Sequence, residues 1–406
     1  MTRQHQRHSI VGVAISIVIG LLVALAADPD AARAADAGKL VIVALDGFTP
    51  SVGDPILAAG RLPTLDRLTR QGVAFTFDSF SWIKELSTAR TWTTMSTGQP
   101  PERKISGGDG AIYGSGGGPD PPFLQEILGR SGRSVAVVGW PFEEPPAWNG
   151  TTVTHDFTKD PADGYVGYDG TTHPAELEAE LIPLRVAGTG ITHEEIAHLI
   201  DGDPAESPEN PSIVTGIYLL REYYAADATI VAATQHIVET RGQPDFLMVF
   251  LMGSGECSRD YWGYMDPSTL PRSLDAEATA MFRDTIPRYY EHADRQIGEI
   301  LSLIEDGSTV VVCSGYGYRG PVMTREGLKL GMETRVNTGS FFAAGPRIRH
   351  GGDVIDARIL DIAPTLLALA GAPVPMSMGG FVLTGILNED FTRRNPIGYV
   401  DDLTTN

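Results

Sequence analysis

Two short stretches carry residue types that could do chemistry together, Leu40–Gly47 (LVIVALDG) and Lys84–Gly98 (KELSTARTWTTMSTG). The first is an apolar, β-branched run that ends in Asp46, which is typical of a buried parallel strand delivering a carboxylate to the carboxyl edge of a sheet. Open α/β sheets keep their sites at that edge. The second stretch predicts the start of a helix rich in hydroxyl groups, which a metal and backbone N–H groups can activate. A carboxylate and a hydroxyl at one edge are the beginning of a phosphoryl-transfer site.

The elements that would position these groups alternate between strand and helix along the chain. Such alternation predicts an α/β fold, a doubly wound and mostly parallel sheet between helices. The domain is expected to span residues 39–390, with a cap region inserted at about 140–240 and a C-terminal tail at 391–406. The predicted strands are 39–45, 73–77, 134–139, 246–252, 309–313 and 340–344, and the main predicted helices are 88–97, 215–241, 276–306 and 355–370.

The composition is acidic, with 31 basic and 51 acidic residues and a net charge of −20 among 406 residues. Binding to nucleic acid rests on basic patches that neutralise phosphates, so this balance argues against nucleic acid as a partner. The sequence does not identify a protein partner.

The N-terminus, residues 1–34, reads as a targeting segment. Arg3 and Arg7 precede an apolar run, Ile10–Ala27, and a small-x-small cleavage signal follows at Ala32–Ala34. The segment is either a cleaved signal peptide or an uncleaved anchor, which would be the only contact with a membrane. Both alternatives place the folded part outside the cytoplasm, as a secreted, periplasmic or cell-envelope protein.

Several longer motifs, in order, resemble the alkaline phosphatase superfamily, in particular its type I phosphodiesterase and nucleotide pyrophosphatase branch. The resemblance covers nearly all of residues 39–390. It implies a two-metal mechanism, with two zinc ions about 4 Å apart held by six Asp and His ligands. It also implies that Asp46 is a metal ligand and that Thr88 is the nucleophile. The motifs are VIVALDG, TARTWTTMSTGQPPE, VGWPFEEPPAWNG, PDFLMVFL, GSFFAAGP and LDIAPTLLALAGAPVP.

The sequence departs from this family at the positions that carry the chemistry. Of the six ligands that the resemblance implies, only Asp46 remains, and the residues found at the other five positions are Gly255, Arg259, Gly315, Tyr316 and Arg335. Glycine offers no ligand atom and arginine stays a cation, so zinc or another divalent cation is disfavoured as a cofactor. In the alternative, a metal is still bound, with Glu256 and Asp260 as substitute ligands.

The two arginines suggest a site for an anion. Guanidinium groups bind phosphate or carboxylate in a fork and can replace part of a metal's charge. We therefore expect Arg259, Arg335 and the helix hydroxyl of Thr91 to bind a phosphate ester or another anion, with Asp46 as the counter-charge. In the alternative, both arginines form salt bridges to Asp46 and merely fill the volume that the metals left.

Two functions remain open at this stage. The first is a non-catalytic descendant of a secreted phosphodiesterase that binds an anion or a phosphoester. The second is an active phosphodiesterase or phosphatase that uses Thr88 with an altered metal set or with the arginines alone. Tyr316 is expected to fill volume, and a disulfide between Cys257 and Cys313 is left open because the resemblance brings their loops together.

Overall fold

The computed structural model describes residues 38–79, 87–99, 121–141, 150–159, 170–270, 273–320 and 335–401, and the backbone of four short strands between these ranges. An eight-stranded sheet forms its centre, in the order β2-β8-β7-β1-β6-β3-β4-β5. Strands β7, β1, β6, β3 and β4 run parallel, whereas β8 is antiparallel to both of its neighbours. The strands are β1 Leu40–Leu45, β2 Val73–Asp78, β3 Val135–Trp140, β4 Thr151–Thr154, β5 Thr172–His173, β6 Phe246–Leu251, β7 Thr309–Ser314 and β8 Thr338–Ala344.

The middle of the sheet is formed by three runs of apolar residues. All six residues of β1 are buried, and so are all six of β6, as expected for parallel strands covered on both faces. Leu45 pairs with Leu251 and Ala44 pairs with Cys313, so the three strands end at nearly the same level. The mostly parallel α/β sheet that the sequence predicts is confirmed.

The helices of the described part pack in two groups. In one, α7 contacts α8, α9 and α10, α8 contacts α9 and α10, and α10 contacts α2, while α7 also lies against β3 and β6. In the other, α3, α4 and α11 are in contact. The helices are α1 Pro50–Ala58, α2 Pro63–Gln71, α3 Thr88–Thr97, α4 Leu124–Arg130, α5 Leu177–Leu181, α6 His193–Ile196, α7 Pro211–Arg241, α8 Gly253–Met265, α9 Ala276–Phe282, α10 Thr285–Ser302, α11 Ile362–Leu369 and α12 Glu389–Arg394.

Three of the four main predicted helices have different bounds in the structure. The predicted helix 215–241 begins four residues earlier, at Pro211. The predicted helix 276–306 is two helices, α9 and α10, and the break falls at Arg283 and Asp284. Pro287 lies in the first turn of α10, where a missing N–H costs little. The predicted helix 355–370 begins only at Ile362, after a 3₁₀ turn, since Asp356 adopts a left-handed backbone conformation with φ of 54°.

The region from 140 to 240, predicted to be a cap, contributes to the sheet itself. It supplies β4 and β5 at one edge of the sheet, and its 31-residue helix α7 packs against β3 and β6. The domain boundaries stay a prediction. In the described ranges, no helix combines the length and the apolar character that a membrane span requires.

Two buried arginines lie at the amino edge of the sheet, where β1 and β3 begin. Arg347 donates hydrogen bonds to the carbonyl oxygens of Leu369 and Lys39, and Arg133 donates to that of Ala370. The last carbonyl of α11 and that of its C-cap residue thus receive cationic donors, which the helix dipole favours. Burial, followed by the nearby charge of Arg133, lowers the pKa of Arg347 to about 9.

Candidate functional site

The carboxyl edge of the sheet collects the residues that the sequence singles out. Asp46 follows β1, Gly255 lies in the first turn of α8 after β6, and Tyr316 follows β7. Thr88 is the first residue of α3, whose N-cap Ser87 accepts a hydrogen bond from the backbone N–H of Arg90. This is the edge at which an α/β sheet positions a ligand.

Asp46 is buried and held by neutral donors. The hydroxyl of Tyr316 lies 2.7 and 2.8 Å from its two carboxylate oxygens, and the indole N–H of Trp92 donates to Oδ1 at 2.9 Å. Burial raises the pKa of Asp46, while these hydrogen bonds and, at longer range, the charges of Arg335 and Arg259 oppose the rise. The carboxylate is therefore engaged by side chains of the protein itself.

Tyr316 joins Asp46 to Thr88. Its hydroxyl lies 2.9 Å from Thr88 Oγ1, and since the Tyr316 proton is directed at the carboxylate, the Thr88 hydroxyl donates to the tyrosine oxygen. Burial and the adjacent Asp46 raise the pKa of Tyr316 well above its usual value, so the phenol stays neutral. Tyr316 thus fills volume, as predicted, and also links the two groups that the sequence places at this edge.

The residues present do not fit a pair of metal ions. A Cβ at Gly255 would lie 2.3 Å from Asp46 Oδ2, and one at Gly315 would lie 2.2 Å from the Thr91 methyl carbon, so both positions are closed by packing. The lone pairs of Asp46 face phenol and indole donors, and these carry protons where a cation would need free oxygens. Within the described ranges, no cluster of three His, Cys, Asp or Glu side chains could hold a metal ion.

Arg335 covers the Thr88 end of this network. Its Nη2 donates to Thr88 Oγ1 at 3.2 Å, and its guanidinium carbon lies 5.0 Å from the ring centroid of Tyr316 and 5.4 Å from that of Tyr318. Burial acts against the charge, but the two tyrosines and Asp46 raise the pKa of Arg335 above its usual value. A cation stacked on two aromatic rings beside a helix N-terminus is well placed to contact an anion.

Arg259 is engaged elsewhere. It forms a two-point hydrogen bond with Asp260, at 2.9 and 3.0 Å, and an ion pair with Glu256. Burial raises the pKa of Glu256 to about 7, against the opposing charge of Arg259. The expectation that Arg259 serves the anion site is not supported by this geometry, because two carboxylates already neutralise it.

The alternative in which both arginines form salt bridges to Asp46 is not found in the structure. Among the described residues, no ion pair within 4.0 Å joins that carboxylate to Arg259 or Arg335. Asp46 is instead satisfied by Tyr316 and Trp92. Neutral donors are available at shorter range, and they avoid the cost of stripping water from a second charge.

Three further predicted residues lie inside the packing. Thr91 is fully buried and lies against Gly315, so it is not placed to meet an anion at the surface. Cys257 and Cys313 are both buried free thiols, so the disulfide left open by the sequence is not formed.

Sequence reasoning missed two residues that shape the site. Trp92 lies one turn along α3 from Thr88, and the helical spacing was the only signal that it shares the side facing Asp46. Asp227 of α7 accepts hydrogen bonds from the backbone N–H groups of Met252 and Gly253 and from the Tyr289 hydroxyl. Burial raises the pKa of Asp227 to about 7. This carboxylate anchors the N-terminus of α8, on which Gly255 and Arg259 lie.

Comparison with solved structures identifies the fold. A 2-O GAG sulfatase shares it with a TM-score of 0.51 at 13% identity, over 86% of this chain and 73% of the other. A phosphonate monoester hydrolase from Silicibacter pomeroyi shares it with a TM-score of 0.52 at 16% identity, over 87% and 78%. The chain therefore has the alkaline-phosphatase-like fold of sulfatases and phosphonate hydrolases. No protein-family model and no curated protein matches the sequence.

Proposed function

We propose that this chain is a non-catalytic, metal-independent protein that binds a phosphate ester or a similar anionic ester outside the cytoplasm. The observation that carries the proposal is the hydroxyl of Tyr316, bonded at once to both oxygens of Asp46 and to Thr88. This arrangement occupies the carboxylate and the hydroxyl that two metal ions would otherwise share. Six motifs of the sequence resemble the type I phosphodiesterase branch, so we propose a phosphoester rather than a sulfate ester as the ligand.

Arg335 and the start of α3 support anion binding. The ten-residue helix begins at Thr88, whose hydroxyl accepts from the guanidinium of Arg335, and the first N–H groups of a helix favour an anion. An anion there would contact the Arg335 cation and the positive end of the helix dipole. The extracytoplasmic location rests on the N-terminal residues 1–34, which lie outside the described ranges.

Elemental analysis of the purified protein, together with an assay of aryl phosphate mono- and diesters, tests the loss of metal chemistry. We expect less than stoichiometric zinc, manganese, calcium and iron, and no turnover above the protein-free rate. Two equivalents of a transition metal, or turnover that a chelator abolishes, would overturn the proposal.

Isothermal titration tests the binding. Inorganic phosphate, phenyl phosphate and sulfate are titrated into the wild-type chain, the variant Arg335→Gln and the control Arg349→Gln, which changes a half-exposed arginine near the other edge of the sheet. A charge-assisted hydrogen bond contributes about 1.5–3 kcal/mol, so Arg335→Gln should weaken the binding of phenyl phosphate by about 10- to 100-fold. Equal affinities for the two variants would show that the anion does not contact Arg335.

A second function is favoured by the direction of the hydrogen bonds. Thr88 directs its proton to Tyr316 and Tyr316 directs its own to Asp46. Thr88 Oγ1 also accepts from Arg335, so one of its two lone pairs is left for a substrate. In an active enzyme, Thr88 Oγ1 would form a bond to phosphorus while the bond to an aryl oxygen breaks. The two protons would then shift inward together and protonate Asp46, and the aryl oxygen would leave as the aryloxide. Mass spectrometry after incubation with 4-nitrophenyl phosphate distinguishes the two functions, because only the second adds a phosphoryl group to Thr88.

A further inference from the structure

A cavity of about 290 Å³ lies between the first turns of α7 and the second half of α8. Leu219 and Pro211 give it apolar walls, and Tyr261 and Tyr264 give it aromatic ones. Asp260 is the only charged residue among the described residues that line it. Since an apolar cavity of about 150 Å³ accommodates benzene, this volume suits a single ring with a short side chain.

The two helices run antiparallel, which places Asp260 at one end of the cavity. The hydroxyl of Tyr261 donates to the carbonyl oxygen of Gly216 in α7, and Tyr223, further along α7, donates to Asp260 Oδ2. The carboxylate of Asp260 therefore lies toward the middle of α7. Tyr264 lies one turn further along α8, toward the start of α7. The lining thus changes from a carboxylate at one end to an aromatic ring at the other.

Tyr261 and Tyr264 form an aromatic corner. Their ring centroids lie 6.1 Å apart with the planes inclined at 45°, and both rings lie 5.3 Å from the ring of Phe282 behind them. The bond from the Tyr261 hydroxyl to Gly216 fixes the first of these rings. A corner of this kind suits a flat apolar group, and aromatic rings attract a cation within about 6 Å of their centroids.

The charges around the cavity have a negative excess. Glu256 and Asp260 both pair with Arg259, so two carboxylates share one guanidinium. Burial raises the pKa of Glu256 to about 7, so this carboxylate is mostly ionised at pH 8. Burial and the nearby charge of Asp275 raise the pKa of Tyr264, which shows that a further carboxylate lies close to the aromatic end. These charges favour a cation in the cavity over an anion.

The hydrogen bonds around the cavity favour a donor as the polar group of the ligand. The N-cap Asn210 already accepts from the backbone N–H groups of Ser212 and Ile213, at 3.1 and 3.4 Å, so the start of α7 is capped by the chain itself. In contrast, Asp260 Oδ1 accepts one hydrogen bond from the described residues, at 2.9 Å from Arg259. A carboxylate oxygen accepts two, so this atom has a position for a second donor.

We propose that this cavity binds a small primary amine with an aromatic body, at a site separate from the anion site of Arg335. The ammonium group donates to Asp260 Oδ1 and balances the excess charge of the two carboxylates that share one guanidinium. The ring lies in the corner between Tyr261 and Tyr264, with Leu219 on the side of α7. Amine binding does not require an anion at the other site.

Isothermal titration at pH 8 with three probes of similar size tests the site. Phenethylamine carries an ammonium group, 2-phenylethanol carries a neutral hydroxyl, and phenylacetate carries a negative charge. We expect the amine to bind at least about tenfold more tightly than the alcohol, because a charge-assisted hydrogen bond is stronger than a neutral one. Phenylacetate should bind more weakly than either. Equal affinities for the amine and the alcohol, or no binding of the amine, would overturn the proposal.

A variant of the carboxylate tests which charge the amine meets. Asp260→Asn keeps the size of the side chain, and it should weaken phenethylamine binding at least about tenfold while changing that of 2-phenylethanol less than about twofold. Glu239→Gln is the control, since it removes a negative charge from an exposed position near the far end of α7, and it should change neither affinity. Equal losses in the two variants would show that the amine responds only to the net charge of the protein.

Variants that fill the cavity locate the bound ring. Leu219→Trp should abolish the binding of both phenethylamine and 2-phenylethanol. Val214→Trp lies on the same helix, about half exposed and outside the cavity lining, so it should bind both as the wild type does. If Leu219→Trp does not fold, Ser212→Trp fills the cavity from the first turn of α7. Undiminished amine binding by a folded variant with a filled cavity would place the amine elsewhere and overturn the proposal.

Discussion

The two edges of the sheet bury charges of opposite sign and satisfy them in the same way. At the carboxyl edge, Asp46 receives bonds from a phenol and an indole. At the amino edge, Arg347 donates to main-chain carbonyls. Neither charge depends on an ion pair among the described residues, since neutral dipoles at short range provide the solvation that water gave in the unfolded chain.

The difference lies in what supplies the dipoles. Backbone carbonyls are present at the amino edge whatever the neighbouring side chains are, so the hydrogen bonds of Arg347 there stabilise the fold. At the carboxyl edge, the donors are two specific side chains, Trp92 and Tyr316, and their loss would leave a carboxylate free for other partners. Chemistry can therefore be gained or lost at the carboxyl edge by substitution, whereas at the amino edge substitution changes only stability.

Adding a second carboxylate at the carboxyl edge should have the largest effect. We expect Gly255→Asp to destabilise the protein by about 4 kcal/mol, because the new Cβ overlaps Asp46 Oδ2 and adds a like charge in a buried place. Urea unfolding measures the change. Gly190→Asp, where nothing lies within 4 Å of a new Cβ, should cost less than about 1 kcal/mol. A Gly255→Asp variant that zinc restores to wild-type stability would contradict the closed site.

Removing a cation from the amino edge should come next. Arg347→Met keeps much of the apolar volume but leaves the carbonyl of Leu369 without this donor and that of Lys39 with the Thr309 N–H alone, so we expect a loss of about 3 kcal/mol. Arg349→Met, two residues away and about half exposed, should cost less than about 1 kcal/mol in the same unfolding assay. Similar losses for the two variants would show that the buried bonds contribute little.

Removal of one donor from Asp46 should have a smaller effect. Tyr316→Phe deletes the hydroxyl that bonds both carboxylate oxygens, and we expect a loss of about 2 kcal/mol. Tyr318→Phe is the matched control, since its ring is equally buried and its hydroxyl has no hydrogen-bond partner within the described ranges. The comparison would fail if Tyr318→Phe were the more destabilising of the two.

The pH dependence should show the smallest effect. Burial raises the pKa of Glu256 to about 7, so its contribution to stability is fully present below the unfolded value near 4.5 and is lost as the pH rises through 7. We expect Glu256→Gln to become more stable relative to wild type between pH 6 and pH 7, by about 1 kcal/mol. Parallel stability curves for the two proteins would contradict the raised pKa.

Much of the fold could be predicted from the sequence, because its strands are continuous apolar runs with abrupt ends. The predicted 88–97 helix has the bounds of α3, and Asp46 directly follows β1. The partners of the arginines could not be predicted in this way. Arg259 lies beside Asp260 in the chain and three residues from Glu256. It forms ion pairs with these local carboxylates and not with Asp46, which lies on another element. The role of Asp227 depends on how α7 packs, which spacing does not reveal.

The close approach of Gly255 to Asp46 has an evolutionary consequence. Any side chain larger than a hydrogen atom at position 255 overlaps Asp46 Oδ2, so a single substitution there carries a steric penalty before it can contribute a new partner. Stepwise substitution is therefore expected to change the outer residues of this edge before it changes this contact.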